Sequence, residues 1–169
     1  GMSSDLEWLE LDRNPLSGTL PPEMFHNLGK LERMDIGAAY YSGTLPTQLG
    51  LLTSLRDLRP RITLISGTLP PEMFEPMKES LTRFSSHLNM ISGTIPASAY
   101  QAYFTQYFSI YQTPISGTLA AGVGNWPYME ELELQRLAAK TLAHMGTTDE
   151  IRDKLLQNPE LAELLRERR

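Results

Sequence analysis

The sequence predicts one α/β domain of the solenoid kind: a right-handed horseshoe arc, with parallel strands on its concave side and irregular or 3-10 segments on its convex side. Three observations carry this expectation. Ser-Gly-Thr recurs five times, starting at Ser17, Ser42, Ser66, Ser92 and Ser116, at intervals of 25, 24, 26 and 24 residues. Apolar residues at alternate positions precede each copy. Leu or Ile follows each copy, and Pro comes next in four of them, at Pro21, Pro46, Pro70 and Pro96.

The upstream pattern is clearest in the first copy, which reads Leu6-x-x-Leu9-x-Leu11-x-x-Asn14-x-Leu16. The second gives Leu31, Met34, Ile36, Ala39 and Tyr41; the third gives Leu55, Leu58, Pro60, Thr63 and Ile65. The fourth gives Leu81, Phe84, Ser86, Asn89 and Ile91, and the fifth Thr105, Phe108, Ile110, Thr113 and Ile115. A sixth start, Met129, Leu132 and Leu134, has no Ser-Gly-Thr after it. Alternate apolar positions make a short strand with one buried face. One strand cannot bury that face alone, so the copies must stack side by side.

Each remaining position has a physical role. Asn at the ninth position bonds backbone where the chain leaves the strand, a role open to Thr63 and Thr113 but not to Ala39. Gly after Ser supplies the backbone freedom that the turn to the outer side needs. Pro then fixes φ and disfavours an α-helix on that side. Pro60 and Ser86 stand at core positions where the pattern wants large apolar groups, and Pro60 removes a donor from the strand ladder.

The motif L-x-x-L-x-L-x-x-N-x-L-S-G-x-[LI]-P resembles the plant-type subclass of leucine-rich repeats, known from plant receptor ectodomains and polygalacturonase inhibitors. The variant Ser-Gly-Thr-Leu-Pro-Pro-Glu at 17–23 and 66–72 is similar to repeats of trypanosomatid proteins, their surface antigens included. The resemblance covers about Leu6 to Leu134 and implies a non-catalytic module that binds proteins or other ligands on its concave sheet. This chain lacks the Cys-containing caps usual in secreted relatives.

Composition narrows the function classes. A net charge of −5 argues against affinity for nucleic acid or anionic membrane. No apolar run approaches the roughly 20 residues that cross a bilayer. There is no cysteine and no N-glycosylation sequon, which points mildly to the cytoplasm, with the cell surface or secretion as the alternative. His26, His87 and His144 have no triad or metal-ligand spacing, so neither catalysis, nor a metal, nor a cofactor is expected. Gly122-x-Gly124 reads as a connection, Arg56, Arg59 and Arg61 are too few for a nucleic-acid footprint, and Glu130, Glu131 and Glu133 read as a solvated face. Tyr100, Tyr103, Phe104 and Phe108 read as packing.

Three regions follow: a tag scar and tail at 1–5, repeats over 6–139, and a helical cap over 140–169. Thr147-x-x-Glu150 is a capping box ahead of Ile151, Leu155 and Leu156, and Asn158-Pro159 opens a second stripe of Leu161, Leu164 and Leu165. The N-terminus offers no cap, so the strand holding Leu9 and Leu11 is an open edge suited to self-association.

The outward strand positions form three columns on the concave sheet. They read Trp8, Arg33, Asp57, Arg83, Tyr107 and Glu131; Glu10, Asp35, Arg59, Ser85, Ser109 and Glu133; and Asp12, Gly37, Arg61, His87, Tyr111 and Gln135. Arg59, Arg61, Arg83, His87, Tyr107 and Tyr111 gather in the middle between acidic ends. Arg and Tyr are enriched at binding hot spots, so this patch is the candidate site for an acidic or aromatic-bearing polypeptide. The same spacing also allows lateral pairing of the charges, with Asp57 between Arg33 and Arg83. A structural protein dimerising through the N-terminal edge, and a secreted receptor or inhibitor fragment, are the alternatives.

Overall fold

The computed structural model describes residues 5–102, 107–117 and 131–133. The cap expected over 140–169 lies outside these residues. Six strands of three residues each form a single parallel sheet in chain order: β1 (Trp8–Glu10), β3 (Arg33–Asp35), β5 (Asp57–Arg59), β7 (Arg83–Ser85), β9 (Tyr107–Ser109) and β10 (Glu131–Glu133). Leu9, Met34, Leu58, Phe84, Phe108 and Leu132 are successive register partners. The chain is a leucine-rich-repeat solenoid.

Stacking buries what the alternation marks. Leu31, Leu55 and Leu81 at the first apolar position lie inside, as do Met34, Leu58, Phe84 and Phe108 at the second. Each such side chain contributes roughly 1.5–3 kcal/mol by leaving water. Phe84 packs between Phe74 and Phe108, with ring centroids 5.7 Å and 5.3 Å away. Tyr100 is buried as well, in keeping with its reading as packing.

The irregular core positions behave as their chemistry requires. Leu11, Ile36 and Ser86 each donate a backbone N–H to the next strand, at Asp35, Arg59 and Ser109. Pro60 has no N–H to give, and the β5–β7 pairing correspondingly stops after Asp57 and Leu58. Asn89 links the two repeats by a different bond: its Nδ2 donates to the Pro60 carbonyl at 3.2 Å and to Ser86 Oγ at 3.1 Å. Thr63 and Thr113 fill the ninth position by donating to the carbonyls of Pro60 and Ile110. The residue before the ninth position has positive φ in all five repeats, at Arg13, Ala38, Ile62, Leu88 and Gln112.

Ser-Gly-Thr is more than a turn. It builds a second parallel ladder on the flank of the solenoid, with β2 (Ser17–Thr19) paired to β4 (Tyr40–Ser42) and β6 (Ser66–Thr68) to β8 (Met90–Ser92). Isolated bridges from Thr44 to Ser66 and from Gly93 to Ile115 extend the same pattern. The hydroxyls of Ser42, Ser66 and Ser92 donate to the carbonyls of Gly18, Gly43 and Gly67 in the repeat before. Each glycine has positive φ.

The convex side carries 3-10 turns at Pro22–Phe25, Thr47–Leu51 and Ala97–Gln101. The third repeat departs from the expected irregular outer side with one α-helix, α1 (Pro71–Met77), which buries Met73, Phe74 and Met77. Pro-Pro-Glu-Met-Phe occurs at both 21–25 and 70–74, yet only the second copy makes an α-turn. Its repeat is the longest of the intervals; a Pro at the first helical position, where a missing N–H costs nothing, is common to both copies.

Candidate binding surface

Strand register places the first column in line, from Trp8 through Arg33, Asp57 and Arg83 to Tyr107. Beyond the strands, backbone bonds from Arg13 to Gly37, Ala38 to Arg61, Ile62 to His87 and Leu88 to Tyr111 continue the alignment. Gly37, Arg61, His87 and Tyr111 are therefore neighbours across four repeats.

The charges at the centre of this surface serve one another. Asp35 is 2% exposed. Its Oδ1 accepts the Gly37 N–H at 3.0 Å, and its Oδ2 accepts Arg61 Nη2 at 3.0 Å with Arg59 Nη1 at 3.7 Å. Gly37 makes room for this arrangement, since a Cβ there would stand 2.8 Å from Arg61 Cγ. Arg59 grips Asp57 with both Nε and Nη2. That hydrogen bond, against the opposing effect of burial and with help from the charges of Asp57, Asp35 and Glu10, holds the Arg59 pKa above its ordinary value. Arg33 Nε lies 3.1 Å from Glu10 Oε1 and 4.0 Å from Asp57 Oδ2. Lateral pairing is thus real: Asp57 stands between Arg33 and Arg83 in the column, but its ion-pair partners among the described residues are Arg33 and Arg59. The correction follows from geometry: Arg59 is two residues along the same strand face and reaches Asp57 bidentately.

His87 also differs from expectation. It is buried, not presented at the surface. Nδ1 faces Ser85 Oγ at 2.9 Å and Ser109 Oγ at 3.4 Å, and the ring stacks on Tyr111 with centroids 4.4 Å apart. The short side chains of Ser85 and Ser109 in the middle column let the imidazole lie down on the sheet.

Arg83 is different again. Its Cζ stands 5.3 Å from the Tyr107 ring centroid, a cation–π contact, and no carboxylate is within ion-pair distance among the described residues. Of the six candidate residues, Arg59 and Arg61 hold the sheet together and His87 packs beneath Tyr111. Arg83 and Tyr107 touch and are half-exposed, and Tyr111, half-exposed as well, stands two columns away over His87. Sequence reasoning left out Trp8, which is 64% exposed at the head of the Arg83 column. The signal was its place as first member of that column.

Among the described residues there is no group of metal-ligating side chains and no helix long and apolar enough to cross a membrane. His26 is exposed at the end of a convex turn, and His144 lies outside the described residues.

No protein-family model and no curated protein sequence matches the chain. Solved structures do. The chain is similar to a plant peptide hormone receptor, RGFR1 in complex with RGF2, at 27% identity and a TM-score of 0.69, over 73% of this chain and 19% of that one. It is similar to the leucine-rich-repeat ectodomain of the Arabidopsis receptor kinase HAESA, in complex with an N-terminally extended IDA peptide hormone, at 25% identity and a TM-score of 0.72, over 76% and 22%. The BIR3–SERK2 complex from Arabidopsis matches in fold at 23% identity and a TM-score of 0.63, over 69% and 61%. The chain spans about a fifth of the length of the two hormone receptors.

Proposed function

We propose that this chain is a non-catalytic recognition module that binds a polypeptide on its concave sheet through Arg83, Tyr107 and Tyr111, with Trp8 extending the contact along the first column. One observation carries the proposal: Arg83 is the guanidinium on this face with no carboxylate partner among the described residues, and it is already oriented by an aromatic ring. A charge held in place but not neutralised can meet an incoming carboxylate without first breaking an internal pair. The ligand is an acidic or aromatic-bearing segment. The solved structures of similar fold that hold peptide hormones support a polypeptide ligand. Because the HAESA match is a receptor ectodomain, it favours a cell-surface or secreted setting over the cytoplasmic one. Self-association through the β1 edge is less favoured, since it would bring the exposed Glu7 and Glu10 of two copies together.

Panning a random peptide library against the immobilised protein tests the reading. Wild type should enrich peptides that combine Asp or Glu with an aromatic residue. Arg83→Glu and Tyr107→Ala should each weaken those peptides about tenfold or more, with unchanged thermal melting. Failure to enrich, or equal binding by both variants, defeats the proposal.

A further inference from the structure

Among the described residues, five of the eight exposed large apolar side chains share one flank of the solenoid. Tyr40, Leu64 and Met90 are 64%, 53% and 59% exposed, and Ile62 and Leu88 beside them are 43% and 40% exposed. They occupy equivalent positions in the second, third and fourth repeats. Strand alternation explains why they face outward: Tyr41, Ile65 and Ile91, one residue on, take the inward place. Their backbones are fixed, since Tyr40, Leu64 and Met90 donate N–H to the carbonyls of Leu16, Tyr41 and Ile65 in the preceding repeats. The ladder steps by two residues per repeat, so successive side chains stand roughly 7–8 Å apart, within mutual reach.

We propose that this flank is the interface of a homodimer, with a two-fold axis passing through Leu64. A two-fold contact requires a patch that matches itself turned end for end. The row Pro15, Tyr40, Leu64, Met90, Pro114 has that property: Leu at the centre, a large side chain on each side, and Pro at both ends. The axis sets Leu64 against the partner's Leu64 and Tyr40 against the partner's Met90, a favourable aromatic–sulfur pairing. The second row adds Ala38, Ile62, Leu88 and Gln112, so neither row has a charge in repeats two to five. Like charges therefore do not oppose the approach of a second copy. The hydroxyls bordering the row are already committed to glycine carbonyls, which leaves apolar contact as the driving force. The exposed part of the five side chains is on the order of 500 Å², the upper range for one patch on a monomer. Two copies face to face then bury about 1,000 Å², the lower limit for a specific interface, which marks the dimer as a weak one.

Sedimentation equilibrium and cysteine cross-linking test this, and the chain's lack of cysteine makes the second measurement clean. Wild type should rise from the 19.0 kDa of one chain toward twice that mass between about 1 and about 300 µM. Leu64→Glu should stay at one-chain mass with an unchanged melting curve. Leu64→Cys should form a covalent dimer under mild oxidation, while Leu51→Cys, exposed on the convex side, should not. A wild type that keeps one-chain mass throughout overturns the proposal, as does a dimer that survives Leu64→Glu or equal cross-linking from both cysteine variants. Should Leu64→Glu fail to fold, the cross-linking comparison decides alone.

Discussion

Thr44 holds its Cγ2 2.8 Å from where a Cβ on Gly67 would stand, and the contact recurs as Thr19 on Gly43, Thr68 on Gly93 and Thr94 on Gly117. The threonine of one repeat thus closes over the glycine of the next. Gly67 also has φ +82, which an L side chain adopts only with strain. Gly67→Ala should lower stability by about 3 kcal/mol in chemical denaturation, the sum of backbone strain and overpacking. Gly18 separates the two contributions. Its φ is +109 but nothing lies within 4 Å of a Cβ there, so Gly18→Ala should cost only about 1–2 kcal/mol. Equal losses at both sites would mean that the threonine latch contributes nothing.

That latch was half legible in the sequence. The recurrence of Ser-Gly-Thr was plain, and glycine's freedom followed from its chemistry. The ladder was not, because Ser and Thr carry no apolar alternation of the kind that marked Met34, Leu58 and Phe84; the partner of each hydroxyl lies 23 to 25 residues away. The concave columns were readable because strand register is fixed by the buried face. What the columns could not reveal was depth. Arg61 and Arg83 look alike in a grid, yet only Arg61 leans over Gly37 to a buried carboxylate.

Arg61 should accordingly behave as a structural residue. Removing it leaves the nearly buried Asp35 with the Gly37 N–H and a guanidinium at 3.7 Å. Arg61→Ala should cost about 2–3 kcal/mol, somewhat less than a fully buried pair because the Arg61 side chain is 23% exposed. Arg83→Ala, with a ring as its partner, should cost under about 1 kcal/mol. Denaturant midpoints at neutral pH, with unchanged m-values, compare the two directly. Similar losses for both would contradict the division of this surface into a paired centre and an available edge.

Asn14 and Asn89 occupy the same place in the repeat and do different work. Asn14 is exposed, and its Nδ2 reaches only the nearby carbonyls of Leu11 and Asp12. Asn89 is buried, bridges to Pro60 29 residues earlier, and accepts the Ile91 N–H at 3.2 Å. Asn89→Ala should lose about 3 kcal/mol because several buried groups lose their partners together, and Asn14→Ala about 0.5 kcal/mol. Thermal melting of the two variants checks the ratio. Asn89→Thr should recover part of the loss, since Thr63 and Thr113 already bond a carbonyl three residues back.

Ile62 offers the opposite sign. It has φ +56, a conformation that crowds any Cβ and a β-branched side chain most of all, yet it is 43% exposed and makes little use of its bulk within one chain. The αL region is the one that Asn tolerates best after Gly, because its short polar side chain bonds locally. Ile62→Asn should raise stability by about 1 kcal/mol, whereas nearly every other substitution in this turn should lower it. The measurement belongs at low micromolar or lower protein concentration, where association through the flank does not add to the wild-type value. At high concentration the same change should weaken self-association, since Ile62 borders Leu64 in the apolar rows. A variant that is less stable when dilute would show that Ile62 is held by packing within its own repeat, and that its strained backbone is offset there.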